Sequence, residues 1–233
     1  MASTSTGPAA APARRRDAER TRAGILNAAT REFGMHGFAG ARIERIARAA
    51  KCNIRLLYHY FGNKKQLYIA VLDGAYSDLR RKEGALDYDF SDPLGCAEKL
   101  LRFTFRYFEE NPCFEGLLRT ENMMRGKFVT QSTVVPEEAA RLNNTLSGII
   151  GAGERTGQMR PGVDPVQLYV TIIALSRFHL ANAWSLGTLL GTDLTTPRWR
   201  EQRLEHSVEL LRAWLTSGMP EPTRKVLDGA MAA

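Results

Sequence analysis

Two short amphipathic segments separated by a three-residue break constrain this chain more than any other feature. The first runs from about Ala41 to Ala50, and the second from about Ile54 to Phe61. Apolar residues in each segment repeat at the spacing of one helix face. Two helices joined in this way are typical of a helix-turn-helix, whose second helix enters the major groove of DNA. We therefore expect this pair of helices to bind DNA.

Basic residues are concentrated around these two segments. Residues 14–82 hold 16 lysine and arginine residues against 6 acidic residues, whereas the rest of the 233-residue chain holds 16 against 19. The uneven distribution predicts that the N-terminal third binds a polyanion. A solvated basic face is the alternative explanation when charge is considered alone.

Helical periodicity continues along the chain, and no segment alternates with the period of a strand. The sequence predicts an all-α protein in which a connector helix joins a three-helix N-terminal domain to a larger helical domain. Asn53 is placed to cap the second helix of the pair. Gly37 is placed to end the helix that precedes the pair. The predicted parts are a disordered arm with a basic end (1–16), the helix-turn-helix domain with its connector (17–82), the larger helical domain (83–218) and a flexible tail (219–233).

Several classes of protein are excluded by composition. The three cysteines have no short paired spacing, and no pair of His, Cys or carboxylate residues has the spacing of metal ligands. No apolar run reaches the roughly 18 residues that span a bilayer, and the first 13 residues lack the basic start of a secretory signal. We therefore expect a cytoplasmic protein with no metal, cofactor or membrane partner.

The second helix of the pair offers side chains suited to DNA on its outer face. Leu57 and Phe61 are four residues apart and are expected to face inward, which places Arg55 and Tyr58 outward. Arginine can donate two hydrogen bonds to guanine, and tyrosine can reach a phosphate or a thymine methyl group. Lys64 begins the next helix, where a cation and free backbone N–H groups favour phosphate. The candidate DNA-contacting residues are Arg42, Asn53, Ile54, Arg55, Tyr58, His59, Tyr60 and Lys64.

Residues 18–78 contain a spaced pattern of residues: Ile25-Leu26, Ala28-Ala29, Phe33, Gly37-Phe38, Ile46-Ala47, the run from Leu57 to Phe61, Lys64 and Leu67. This pattern resembles the N-terminal domain of the TetR family of bacterial regulators. The resemblance implies a homodimer whose recognition helices enter successive major grooves of a palindrome, with Asn53, Arg55, Tyr58, His59 and Lys64 in contact with DNA. Two positions depart from the family pattern. Lys51 stands where the family often has glycine, and Ala41-Arg42 where it commonly has threonine or serine.

For the C-terminal domain, the resemblance implies an internal ligand cavity and a dimer interface. The pocket candidates are aromatic side chains and polar side chains set in apolar helices: Phe103, Tyr107, Glu121, Asn122, Arg177, Phe178 and Asn182. A buried Arg177 needs a partner, which is either Glu121 or an anionic ligand. The interface candidates are Trp184 and the apolar stripe of the last helix, namely Leu204, Val208, Leu211 and Leu215. Contacts within the subunit's own core are the alternative for each of these residues.

The function that fits these observations is a homodimeric repressor that a small-molecule inducer releases from a palindromic DNA operator. The arginine and aromatic content of the larger domain favours a small, planar, anionic inducer. An enzyme is a poorer fit, because the sequence has no nucleophile elbow, metal-binding pair or phosphate-binding glycine loop. A sequence-indifferent architectural DNA binder is the third alternative. Activation in place of repression stays open, because it depends on where the operator lies.

Overall fold

The computed structural model describes residues 10–218, with side chains from Arg16 onward, and this range holds ten α-helices, one 3₁₀ turn and no strand. The all-α prediction is therefore confirmed. The helices are α1 (Ala10–Gly40), α2 (Ile43–Ala49), α3 (Ile54–Phe61), α4 (Lys64–Gly84), α5 (Pro93–Glu110), α6 (Pro112–Met123), α7 (Val134–Thr156), α8 (Pro165–Ala181), α9 (Ala183–Leu190) and α10 (Pro197–Leu215), and the 3₁₀ turn is Val129–Gln131. Within this range, no helix combines the length and the apolar content needed to cross a membrane.

Two boundaries differ from those expected from the sequence. Helix α1 begins at Ala10, earlier than the basic end of the expected arm, and it continues to Gly40 through a kink at Gly37. The φ of Gly37 is 65°, a left-handed conformation that glycine adopts without a steric penalty. Helix α9 is not expected from the sequence as a separate element, because only Asn182 separates it from α8. The remainder of the expected arm, residues 1–9, and the expected tail, residues 219–233, lie outside the described residues.

The first of two compact units contains the chain up to Ala75 together with Cys113–Ser132. Its core combines apolar side chains of α1 to α4 with Leu117 and Phe128 from the later segment. The sequence predicts that residues 113–132 belong to the larger C-terminal domain, but the structure groups them with the helix-turn-helix. The grouping depends on long-range packing, which helical periodicity does not reveal.

Glycine allows α1 and α6 to approach each other closely within this unit. A Cβ atom at Gly34 would lie 2.8 Å from the backbone of Cys113, and one at Gly116 would overlap the carbonyl group of Gly34. Further along, the Phe128 ring lies 4.4 Å from that of Phe38. The two contacts attach α6 and the segment after it to the rest of the first unit.

The second unit contains residues 76–112 and the described chain from Thr133 onward. Its core is built from α5, α7, α8 and α10. The sequence predicts a dimer interface for four residues of α10, but the structure buries all of them in the core of their own unit: Leu204, Val208, Leu211 and Leu215. At 6% exposure or less, these side chains have no surface left for a partner.

Candidate nucleic-acid interface

The turn between α2 and α3 is a Schellman motif with lysine at the position that glycine usually occupies. The N–H of Lys51 donates to Arg48 O at 3.1 Å, and the N–H of Cys52 donates to Ala47 O at 3.0 Å. The φ of Lys51 is 54°, in the left-handed region. Lysine at this departure from the family pattern therefore keeps the backbone geometry of a glycine C-cap.

Helix α3 begins and is oriented as its sequence predicts. Asn53 Oδ1 accepts a hydrogen bond from the N–H of Leu56 at 2.7 Å, which satisfies one free donor of the first turn. Leu57 and Phe61 are buried in the core of the unit. Burial of this stripe fixes which side of α3 faces solvent.

A carboxylate on α1 fixes the start of α2. Glu32 Oε1 accepts from the backbone N–H of Arg42 at 2.9 Å and from Arg45 Nε at 2.7 Å. Partial burial acts to raise the pKa of Glu32, but these hydrogen bonds outweigh it and hold the pKa below its ordinary value. The backbone of Arg42 is thereby held in place, while its side chain stays exposed.

Lys64 links the start of α4 to the end of α1. Its Nζ donates to Ala41 O at 2.7 Å and lies 5.0 Å from the centre of the Phe38 ring. Burial and the nearby charge of Arg42 lower the pKa of Lys64. The ammonium group thus has one proton engaged within the unit, and its other protons are available to a phosphate.

Most of the predicted DNA-contacting residues form one exposed surface. Ile54, Arg55, Tyr58 and His59 are exposed together on α3, and Arg42 is exposed at the start of α2. Three others differ from these. Tyr60 is half-buried with its ring edge-on to His59, and Lys64 is half-buried as well. Asn53 is exposed, but its side chain is engaged in capping. The surface therefore combines arginine, an aromatic hydroxyl, imidazole and an apolar side chain, which together can bind phosphates and base edges.

The predicted pocket residues do not form a single site. Phe103 and Tyr107 lie together on α5 with ring centres 5.8 Å apart, and the hydroxyl of Tyr107 donates to Asp78 at 3.2 Å. Glu121 belongs to the first unit, where its Oε2 accepts from the N–H groups of Phe128 and Val129 at 3.0 and 2.9 Å. These two amides, and not an arginine, are the partners of Glu121.

The other pocket candidates lie in two different places. Asn122 is exposed on α6 and donates to the carbonyl of Leu118 within the same helix. Arg177, Phe178 and Asn182 come together, but they line an open groove on the outer face of α8. Phe178 is 58% exposed there, so this groove is a surface feature of the subunit.

Sequence reasoning missed a buried ionic group in the second unit. Arg80 forms an ion pair with Glu83 on α4 and also donates to the hydroxyl of Tyr169 on α8. Burial raises the pKa of Glu83 despite the adjacent arginine. Both charged residues lie near the end of the connector helix among other charged residues, so no local pattern distinguishes them from surface ions. Among the residues described here, no three His, Cys, Asp or Glu side chains are grouped so that they could hold a metal ion.

Two protein-family models match this chain. Residues 25–71 match the model described as bacterial regulatory proteins of the tetR family. Residues 93–211 match the model described as the tetracyclin repressor-like C-terminal domain. Together the two matches include the exposed surface of α3 and nearly all of α5 to α10.

Curated relatives resemble the chain over most of its length. It is 35% identical to the transcriptional repressor NicS of Pseudomonas putida, with 78% of this chain and 85% of NicS aligned. It is 32% identical to the transcriptional repressor SCO4008 of Streptomyces coelicolor, with 70% and 80% aligned. The regulator RutR of Escherichia coli is 27% identical over 78% of this chain. These relatives are transcriptional regulators and not enzymes.

Solved structures share the fold. A transcriptional regulator from Streptomyces coelicolor, SCO4942, superposes with a TM-score of 0.64 over 86% of this chain and 99% of its own, at 24% identity. A TetR regulator from Chloroflexus aurantiacus gives a TM-score of 0.62 over 87% and 97%, at 22% identity. With the family models and the relatives, the helix-turn-helix and its exposed α3 lead to one conclusion: this chain belongs to the TetR family of bacterial transcriptional regulators and is a DNA-binding regulator, not an enzyme.

Proposed function

We propose that this protein is a homodimeric, cytoplasmic repressor that binds a palindromic DNA operator and is released from it by a small-molecule inducer. The observation that carries the proposal is the exposed face of α3, where Arg55, Tyr58 and His59 project from a helix held by its cap and its buried stripe. Repression is supported by the relatives NicS and SCO4008, which are themselves transcriptional repressors.

Dimer formation is supported by apolar surface on the second unit. The exposed apolar side chains of α8 and α9 are Val166, Val170, Phe178, Trp184, Leu189 and Leu190. A monomer rarely exposes so many large apolar side chains on neighbouring elements, and such surfaces mark protein interfaces. We assign the dimer interface to these two helices. A symmetric dimer in turn accounts for a palindromic operator, whose half-sites are about 10 base pairs apart.

Inducer release requires the two units to be coupled. Helix α4 belongs to both units, because the boundary falls between Ala75 and Tyr76. A ligand that favours one arrangement of the second unit would change the spacing of the two α3 helices in the dimer. Coupling of about 1–3 kcal/mol lowers operator affinity roughly 5- to 150-fold.

The proposal is tested by measuring the affinity of the protein for two DNA duplexes. One is an enriched duplex, which the protein selects from a random DNA pool, and the other is a shuffled duplex of the same composition. We expect wild-type protein to prefer the enriched duplex by at least about a thousandfold. Arg55→Ala should reduce that preference by about 1–3 kcal/mol, because the arginine would read a base. Arg198→Ala removes an equal charge from an exposed position on α10 and should leave the preference unchanged.

Equal affinity for both duplexes, with binding that only weakens as salt increases, would contradict sequence-specific regulation. It would favour the architectural DNA binder instead.

A further inference from the structure

Two buried polar side chains of α8 have no hydrogen-bond partner among the described residues of the protein. His179 is 3% exposed, and neither of its ring nitrogens has a hydrogen-bond partner among the described residues. Ser176, one turn earlier on α8, is fully buried, and its hydroxyl is likewise unpartnered within that range. Native proteins pair nearly all buried polar atoms, and an unmade hydrogen bond is costly. Two such groups on one helix face therefore point to a ligand.

Aromatic rings surround this imidazole. The ring of Phe105 on α5 is stacked on His179 with centroids 4.7 Å apart and planes inclined by 21°. The Trp199 ring of α10 lies 5.7 Å from His179 at an inclination of 48°. Planar rings stack favourably on such surfaces, so the surroundings suit an aromatic ligand.

Two arginines of α10 lie close enough to His179 to act on its charge. Arg203 is half-buried, and its guanidinium has no carboxylate partner within the described part of the chain. Arg200 lies nearby and has only a long contact, 3.9 Å, with Glu109. Burial and these two arginines lower the pKa of His179 to about 4, so the imidazole is neutral near pH 7. A neutral imidazole has one N–H donor and one acceptor nitrogen.

Within the subunit, few buried side chains cover the end of α8. His179 lies two residues before the last residue of α8, and α9, which follows, contributes no buried residue to the described structure. Segments with few buried contacts open at low free-energy cost. The largely exposed turn between α9 and α10 lies outside the apolar surface assigned to the dimer, and it therefore offers a route by which a ligand can reach the buried groups.

We propose that the inducer is a small aromatic carboxylate that binds between α8 and α10, with its carboxylate on Arg203 and the hydroxyl of Ser176, its polar ring substituents on His179, and its ring beside Trp199. The proposal rests on the inducer-controlled function above and specifies the ligand class of that function. Binding would replace unmade hydrogen bonds with charge-assisted ones, so it would stabilise an opened arrangement of α8, α9 and α10.

Benzoate, the simplest aromatic carboxylate, is the probe for this site. We expect benzoate to raise the melting temperature of the full-length protein, because a ligand that binds only the folded state stabilises it. Benzamide has the same ring without the charge and should have little effect. Arg203→Gln should weaken benzoate binding in calorimetric titration by about tenfold or more, because it removes a charge-assisted contact. The matched control is Arg198→Gln, an exposed arginine on the same helix, which should bind benzoate as the wild type does.

Three results would overturn the proposal: no binding of benzoate at millimolar concentration, equal binding of benzamide, or unchanged binding by Arg203→Gln. Ser176→Ala provides a second variant, since it removes one hydroxyl from the core without adding volume, and it should also weaken benzoate binding. Measurement of operator binding on the same samples separates the two proposals. Specific DNA binding with no response to benzoate rejects this site and keeps the repressor, whereas benzoate binding without specific DNA binding rejects the repressor.

Discussion

Lys51, in the first unit, has a strained left-handed backbone conformation. It adopts a φ of 54° in the turn before α3, where a side chain costs about 1–2 kcal/mol relative to glycine. We predict that Lys51→Gly raises the free energy of unfolding by about 1 kcal/mol, measured by urea denaturation. Arg31→Gly is the control, because Arg31 is exposed inside α1, where glycine should destabilise by about 1 kcal/mol. Destabilisation by both substitutions would contradict the left-handed turn.

His179 makes stability depend on pH. Its pKa is lowered from 6.5 to about 4 in the folded state, so below pH 6.5 the unfolded chain binds a proton that the folded protein does not. The contribution of His179 to the free energy of unfolding is therefore complete above pH 6.5. As the pH decreases from 6.5 to about 4, this contribution falls by about 1.4 kcal/mol per pH unit. We predict that His179→Leu flattens the pH dependence of the free energy of unfolding in that window.

His206→Leu is the control for this measurement, because His206 is exposed on α10. Its pH profile should follow that of the wild type between pH 4 and pH 6.5. A wild-type profile that His179→Leu does not alter would show that the pKa of His179 is the same in the folded and unfolded states.

At the scale of elements, α1 and α6 are held together by a contact that only glycine permits. We predict that Gly116→Ala destabilises the protein by about 2–3 kcal/mol, because the new methyl group would overlap the carbonyl of Gly34 and force the helices apart. Gly24→Ala on α1 has open space around it and should instead stabilise by about 0.5–1 kcal/mol. Chemical denaturation of both variants measures the difference. Equal effects at the two glycines would refute the close helix contact.

Helices and caps that a local sequence pattern specifies were predictable. Contacts between residues that are far apart in the sequence were not predictable. The bounds of α3 and the cap by Asn53 follow from periodicity and from the preference of asparagine for that position. Periodicity also marked the buried stripe of α10, but it cannot say whether that stripe meets the subunit's own core or a partner. The exposed face of α3 was predictable for the same local reason, whereas the surroundings of His179 were not, because Phe105 is 74 positions away.

At the scale of the whole molecule, binding of the proposed palindromic operator requires two copies of the chain. We predict that wild-type protein sediments as a dimer and that Phe178→Asp sediments as a monomer, because the charge would fall within the apolar surface of α8 and α9. Met123→Asp is the matched control, since Met123 is 80% exposed in the first unit. A dimer that survives Phe178→Asp would place the interface elsewhere.

The central claim is that the exposed face of α3 reads a symmetric DNA sequence. Selection of bound duplexes from a random DNA pool tests it most directly, with wild-type, Tyr58→Ala and Lys64→Ala proteins compared in parallel. We expect a palindromic motif for the wild type, with half-sites about one helical turn apart, and its loss in both variants. Recovery of no enriched motif by the wild-type protein would contradict sequence-specific binding by α3.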